Sequence, residues 1–134
     1  AIVPQTFGKC IAFMIELEKV FMAYGNDEPV LRDINLTLER GTFQFLSGQS
    51  GAGKSSLMLI LSLMKMPVAG SLRMFGERVD HLPRSALPAL RRRIGMVHQD
   101  YRLLDHLTVE ENIALPLKIM GEHRRRIQSK VSEM

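Results

Sequence analysis

Apolar and polar residues alternate along several parts of the chain, with the two-residue period of strands that are buried on one face. This period occurs at 15–18 and recurs at 34–39 and 71–75. Two short β-prone runs, 43–46 and 94–98, predict further compact strands. Glycines and polar turn residues separate these segments. The alternation therefore predicts several strands in the first part of the chain.

Other segments have a helical pattern. Residues 57–64 are apolar on nearly every side, which is typical of a helix buried in a core. Pro67 and Gly70 are expected to end that helix. Residues 83–93 also predict a helix, although Pro88 weakens the pattern. Strands and helices that alternate in this way along the chain indicate an α/β fold.

Thr108 and Glu111 have the spacing of a capping box, in which each side chain accepts a hydrogen bond from the backbone amide of the other residue. The pair predicts a helix that begins after Thr108 and that Pro116 bends or ends. A basic helix is predicted after Gly121.

The segment 48–55, GQSGAGKS, matches the phosphate-loop pattern G-x-x-x-x-G-K-[ST] at every fixed position. It lies between a predicted strand and a predicted helix, which is the context that this motif requires. A chance match in a chain of 134 residues has a probability on the order of a few per thousand. The alternative, a glycine-rich surface loop that binds nothing, is therefore the weaker interpretation.

The chemistry of this loop is phosphate binding. Its glycines let consecutive N–H groups point at phosphate oxygens, and the following helix adds the positive end of its dipole. Lys54 would reach the β- and γ-phosphates, and the Ser55 hydroxyl would ligate Mg²⁺. The residues that would form the rest of the cradle are Gly48, Gln49, Ser50, Gly51, Ala52 and Gly53. The motif thus predicts a P-loop NTPase.

Composition excludes several other classes. The chain is 46% hydrophobic and 24% charged, as is usual for a globular protein. Its longest apolar stretch, 57–66, is far shorter than the ~20 residues of a membrane span. The single cysteine, Cys10, has no partner for a disulfide, which favours a reducing compartment. The four histidines share no spacing that would place two on one helical face, so no metal site is predicted from them.

A net charge of +4 comes largely from two arginine clusters, 91–93 and 124–126. Such clusters can bind nucleic acid. Here no aromatic residues lie between the arginines to stack on bases, and both clusters fall in predicted helices. We therefore interpret them as solvated helix faces and expect no nucleic-acid partner.

Two further residues are candidates whose role the residues alone leave open. Gln99 follows the strand predicted at 94–98, so it would lie at a carboxyl strand end, where open parallel sheets bind ligands. It could equally be an ordinary loop residue. Tyr24 lies in a predicted turn, where its ring could stack on an adenine base or simply pack against the protein.

Beyond these motifs, residues 14–134 resemble ABC-type nucleotide-binding domains. The segment LRDINLTLERGTFQFLSGQSGAGKSSL is similar to the strand–turn–strand that leads into the Walker A loop of the family. The segment RRRIGMVHQDYRLLDHLTVEENIALPL is similar to its Q-loop region, and most of all to that of FtsE-type cell-division subunits. The resemblance implies an antiparallel β subdomain and part of a parallel core sheet, as the N-terminal portion of a truncated domain.

The resemblance also implies roles for individual residues. Tyr24 holds the position of the aromatic residue that stacks on adenine, and Gln99 that of the Q-loop glutamine, which contacts Mg²⁺ and the region of the attacking water. Ser56 stands where the family usually has threonine in the nucleotide site, and His98 where an aromatic or aliphatic residue is common; neither is expected to be disabling. The cofactors implied are ATP and Mg²⁺, with Lys54 and Gln99 as the catalytic residues.

The family's LSGGQ-type signature, Walker B aspartate, catalytic glutamate and switch histidine do not occur in this sequence. In the family two such subunits face head to tail. We therefore expect the parent protein to hydrolyse MgATP, and residues 1–134 alone to bind nucleotide weakly and to aggregate. Residues 1–13, which have no periodicity, are expected to be a disordered extension or a misplaced start before Met14.

The implied partners are a second ATP-binding subunit and a transmembrane, permease-like subunit of the FtsX type, contacted near 101–107. The implied location is the cytoplasm, at the inner face of the cell membrane. The alternatives are a related exporter or lipoprotein-release system and a noncatalytic nucleotide-binding fragment. A kinase or GTPase is a weaker alternative, because the Q-loop similarity would then be a coincidence.

Overall fold

The computed structural model describes residues 13–25 and 28–133. Two compact units are present, of which the first ends at Arg91 and the second begins at Arg92. The extension predicted at 1–13 lies outside the described residues except for Phe13, where the first strand begins.

The first unit contains an antiparallel sheet whose four described strands lie in the order β2-β1-β3-β4. Leu17 of β1 pairs with Leu36 of β2 on one side and with Leu72 of β3 on the other, so three apolar residues are adjacent across the sheet. The strands predicted by alternation and the antiparallel subdomain are thus confirmed. The strand bounds are β1 (Phe13–Met22), β2 (Leu31–Glu39), β3 (Ala69–Met74) and β4 (Glu77–Arg78).

Two helices complete the first unit, α1 (Lys54–Leu61) and α2 (Leu87–Arg91). Helix α1 ends before Pro67, because Leu63 adopts a left-handed conformation with φ of 58°. The Arg91 guanidinium donates two hydrogen bonds to the Leu63 carbonyl, at 2.7 and 3.1 Å. Helix α2 is shorter than predicted and has Pro88 in its first turn, where proline is tolerated.

The core of this unit lies where α1 and the segment after it meet the sheet. Buried leucine, isoleucine, valine and methionine side chains from both sources fill it, and the most deeply buried are Leu17, Val20, Met22, Ile60, Leu63, Leu72, Met74 and Val79. Burial of each such side chain contributes about 1.5–3 kcal/mol relative to exposure. This core fixes α1, and therefore the loop before it, against the sheet.

The strands predicted at 43–46 and 94–98 are absent from the described residues, where both segments are irregular. Phe43 and Phe45 are more than four-fifths exposed and contact each other edge to face, with ring centroids 4.9 Å apart. A strand needs a paired neighbour to satisfy its backbone groups, and β-prone composition does not supply one. Met58 on α1 is also exposed.

The second unit contains α3 (Val109–Ile119) and α4 (Arg124–Ser132), which pack against each other. The capping box is confirmed: the Thr108 amide donates to the Glu111 carboxylate at 2.8 Å, and the Glu111 amide donates to the Thr108 hydroxyl at 3.2 Å. Helix α3 continues past Pro116, so of the two predicted effects of this proline, to bend or to end the helix, the second was wrong. No helix in the described parts of the chain has the length and apolarity that crossing a membrane requires.

Candidate functional site

The loop of residues 48–53 leads directly into α1, and Gly53 is the N-cap of that helix. Gly53 has φ of 86°, in the left-handed region that favours glycine. A Cβ atom at this position would lie 2.6 Å from Leu31 Cδ2 and 3.2 Å from the Val30 carbonyl oxygen. The start of the helix therefore requires glycine both for its backbone conformation and for its close approach to β2.

Backbone amides of this loop are available as hydrogen-bond donors. Within the described residues, they form no hydrogen bond at Ser50, Gly51, Gly53, Lys54, Ser55 and Ser56. The same residues, together with Val30, line one cleft of about 430 Å³. The start of a helix leaves its first amides unpaired and carries a partial positive charge, so such a cleft favours an anion.

Lys54 adds a full positive charge to the cleft. Its ammonium group donates hydrogen bonds to the carbonyl oxygens of Gly48 and Gln49, at 2.8 and 2.7 Å. These bonds hold the side chain back along the loop, beside the unpaired amides. A cation and several amide donors in one cleft match the charge and the oxygen atoms of a polyphosphate.

Ser55, which the motif predicts as the ligand of Mg²⁺, has a side chain that fits this role. Its side chain is exposed and its hydroxyl makes no hydrogen bond inside the described portion of the chain. Mg²⁺ prefers oxygen ligands and usually takes one or two from the protein, with the rest from phosphates and water. A free hydroxyl that lines the cleft fits that requirement, and the hydroxyl of Ser50, which also makes no hydrogen bond among the described residues, lines the same cleft.

Tyr24 lies next to the cleft. Its hydroxyl shares a hydrogen bond of 3.0 Å with the hydroxyl of Ser56, which is buried near the start of α1. The Lys65 ammonium lies over the Tyr24 ring, 5.9 Å from its centroid. Tyr24 as a whole residue is 39% exposed, so part of its surface remains open to a ligand. The structure therefore brings Tyr24 together with the phosphate loop.

Gln99 belongs to the second unit, where it is exposed and begins a turn. Tyr101 and Arg102, which follow, both have positive φ, at 53° and 50°. Further along, Leu103, Leu104, Asp105, Leu107, Val109, Asn112 and Ile113 line a mostly apolar pocket of about 350 Å³. Gln99 thus lies at the start of a loop that ends in an apolar depression.

Asn112 holds that loop and was missed by sequence reasoning. Its side-chain oxygen accepts a bond from the Leu104 amide at 2.9 Å. Its side-chain nitrogen donates to the carbonyl oxygens of Leu104, Leu107 and Thr108, at 3.0–3.2 Å. A signal was present, because an asparagine in the first turn of a capped helix can reach the backbone before that helix.

Comparison with known proteins supports the resemblance. The sequence pattern of the ABC transporter family matches residues 31–134. The cell division ATP-binding protein FtsE of Haemophilus influenzae is 46% identical over 111 residues, which cover 82% of this chain and 51% of FtsE. The methionine import ATP-binding protein MetN of Vibrio vulnificus strain YJ016 is 39% identical over 119 residues, which cover 89% of this chain and 35% of MetN.

A solved structure has the same fold. It is a dimeric, post-hydrolysis state of the ATP-binding cassette MJ0796 bound to ADP and Pi, and it superposes with a TM-score of 0.79 at 29% identity. The match covers 90% of this chain and 55% of the cassette. This likeness confirms the predicted P-loop NTPase fold of the ABC type. The chain spans about half the length, or less, of the relatives that it matches.

Proposed function

The chain belongs to the ABC transporter family, and from that premise we propose that it is the ATP-binding part of an ABC-type ATPase. The observation that carries the proposal is the cleft in which the amides of Ser50, Gly51 and residues 53–56, unpaired within the described residues, lie beside the Lys54 ammonium group. This arrangement suits the terminal phosphates of a nucleotide, which carry several negative charges and many acceptor oxygens.

Each site residue then has a defined task. The loop amides and Lys54 bind the β- and γ-phosphates, and Ser55 supplies an oxygen ligand to Mg²⁺. Tyr24 offers its ring to the adenine base, which gives the site its preference among nucleotides. Gln99 is assigned to the Mg²⁺ and the attacking water by family resemblance. Bound Mg²⁺ would neutralise charge that develops on the phosphates.

Hydrolysis is proposed for the whole protein in which this sequence occurs. Phosphoryl transfer requires an oriented water as well as a phosphate cradle and a metal. MJ0796 is described as a dimer in its post-hydrolysis state, and we propose that a second ATP-binding subunit likewise faces this one. For the 134-residue chain alone we propose weak nucleotide binding without turnover.

Nucleotide competition tests the binding proposal. Isothermal titration of the chain with MgATP, MgGTP and magnesium tripolyphosphate should show binding of all three, with ATP the tightest. Tyr24→Ala should remove the preference for adenine and leave tripolyphosphate binding intact. A preference for guanine would reject the ABC assignment, and absence of binding by the native chain would reject the function itself. Robust ATP turnover by the chain would contradict the proposal that it binds nucleotide without hydrolysing it.

We further propose that the protein is an FtsE-type subunit that works with an FtsX-like, permease-like membrane subunit at the cytoplasmic face. The support is the 46% identity to one FtsE together with the resemblance of the Q-loop segment, since other FtsE proteins, at 36–37%, and MetN proteins, at 37–40%, have similar identities. The apolar pocket around Leu104 and Leu107 is the surface on which we propose that the membrane subunit docks. Exposed apolar patches rimmed by polar groups commonly mark such interfaces.

Co-purification distinguishes this partner from the alternatives. The native chain, tagged and co-expressed with an FtsX-type subunit, a methionine-import permease or a lipoprotein-release permease, should retain the first most strongly. Leu104→Asp should abolish retention, whereas Leu82→Asp in the other unit should not. Equal retention of all three subunits would reject the FtsE-type assignment and leave the ATP-binding proposal unaffected.

A further inference from the structure

Ser56 occupies a position from which it can link the two halves of a nucleotide site. It is the third residue of α1, directly after Ser55, and its side chain is only 6% exposed. Its hydroxyl contacts the hydroxyl of Tyr24, 32 residues earlier in the chain. The phosphate-binding helix and the predicted base-stacking ring are thus joined by one side chain–side chain bond.

We propose that Ser56 is a positioning residue for base recognition: its hydroxyl holds the Tyr24 ring at a fixed place beside the phosphate cleft. This inference rests on the proposed function. Tyr24 is 39% exposed and lies just after the end of β1, so without the hydrogen bond to Ser56 its side chain could adopt several orientations. Each orientation that does not suit the base lowers the fraction of molecules ready to bind, and the hydrogen bond removes that cost.

A second contact restrains the same ring. The Lys65 ammonium, just beyond the end of α1, lies over the ring at 5.9 Å from the centroid. Cation–π contacts at exposed sites contribute only about 0.5–1 kcal/mol, so this contact supports the orientation without fixing it alone. The Ser56 bond acts at the far end of the side chain, on the axis of the ring, so it fixes where the ring lies, and the Lys65 contact favours one orientation of the ring face.

The competing role for Ser56 is direct contact with a phosphate. In that case its hydroxyl would matter to any polyphosphate, whether or not a base is attached. In the positioning role its hydroxyl matters only to ligands that carry a base, and only while Tyr24 keeps its own hydroxyl. These two roles therefore predict different patterns across ligands and variants.

The test is a double-mutant cycle in the full chain, with dissociation constants for MgATP and magnesium tripolyphosphate. Tyr24→Phe keeps the ring and removes its hydroxyl, and Ser56→Ala removes the partner while retaining a good helix former. Each substitution should weaken the binding of MgATP by about three- to tenfold, which is the net contribution of one hydrogen bond. The double variant should be no weaker than either single one. Tripolyphosphate binding should change in none of them, which also shows that the variants are folded.

Ser56→Thr, which keeps a hydroxyl at the same atom, should restore the native MgATP affinity. Ser129→Ala, an exposed serine of the second unit, is the matched control and should have no effect. Weakened tripolyphosphate binding in Ser56→Ala, or additive losses in the double variant, would overturn the positioning role while nucleotide binding stands. No binding of either ligand by the native chain would overturn the proposed function and this inference with it.

Discussion

The phosphate loop at 48–53 and the loop at 99–108 both carry predicted site residues, but different forces fix their backbones. In the first, Gly51 and Gly53 take positive φ angles at little cost, and Lys54 bonds back to the loop's own carbonyls. In the second, Tyr101 and Arg102 take positive φ without being glycine, at roughly 1–2 kcal/mol each.

The second loop recovers stability from the helix that follows it. The Asn112 side chain holds residues 104–108 against α3, because its Oδ1 accepts a hydrogen bond from the Leu104 amide and its Nδ2 group shares two hydrogens among three carbonyl oxygens. The phosphate loop is thus specified by a contiguous motif, whereas the other depends on one side chain beyond its end. The phosphate loop can therefore be recognised from a sequence pattern alone, whereas the conformation of the second loop depends on the fold.

The largest expected effect is on the glycine that begins α1. Gly53→Ala would place a Cβ atom 2.6 Å from Leu31 and impose a left-handed conformation on alanine. We expect a loss of about 2–4 kcal/mol in the free energy of unfolding. Thermal or urea unfolding would measure it. Gly51→Ala is the matched control, because φ at Gly51 is also positive, at 81°, but no atom of the described residues lies within 4 Å of the added Cβ. This variant should lose only about 1 kcal/mol of stability. Equal losses would show that close packing at Gly53 is unimportant.

Next in size is removal of the loop's cation. Lys54→Ala should weaken magnesium tripolyphosphate binding by about 10–100-fold, since a charge-assisted hydrogen bond contributes about 1.5–3 kcal/mol. Titration calorimetry would measure this change. Lys118→Ala removes the same charge from an exposed site on α3 and should leave affinity unchanged. If both variants bind equally well, the cleft of residues 50–56 is not the phosphate site.

Asn112→Ala tests whether this side chain holds the loop at 99–108. Loss of the side chain should free the Leu104 amide and destabilise the loop by about 1–3 kcal/mol. Hydrogen exchange at Leu104 should accelerate, while the amides of β1 and β2 stay protected. Gln128→Ala, an exposed amide on α4, serves as the control. Unchanged exchange in Asn112→Ala would mean that the loop is held by other contacts.

The smallest effect concerns pH. The hydrogen bond from the Thr108 backbone, followed by that from its side chain, holds the pKa of Glu111 below its ordinary value of 4.5. A lowered folded-state pKa means that this stabilisation is present above the unfolded pKa and is lost as pH falls through the folded one. Glu111→Gln should therefore make the stability of the second unit less sensitive to acid. Circular dichroism between pH 6 and pH 3 would measure the loss of its helices. Glu110→Gln, which lacks the cap bond, should leave it unchanged.

Much of the secondary structure in both units could be predicted because its signals are local. Alternation located β1, β2 and β3, and the capping box located the start of α3. The predictions at 43–46 and 94–98 were wrong for a physical reason: pairing depends on a neighbour that the segment's own composition does not specify. The end of α1 was also misjudged, because Leu63 and Arg91 interact only in the folded unit.

The sequence alone specifies the phosphate loop, the start of α3 and the family, because each depends on residues at fixed short spacings. Packing in the folded protein determines that Tyr24 bonds to Ser56, that Gly53 abuts Leu31 and that Asn112 holds the loop before its helix. The Tyr24–Ser56 and Gly53–Leu31 contacts join residues more than 20 positions apart. Even the nearer Asn112 contact needs its loop folded back on α3. Such contacts arise from how the elements pack, which no local pattern encodes.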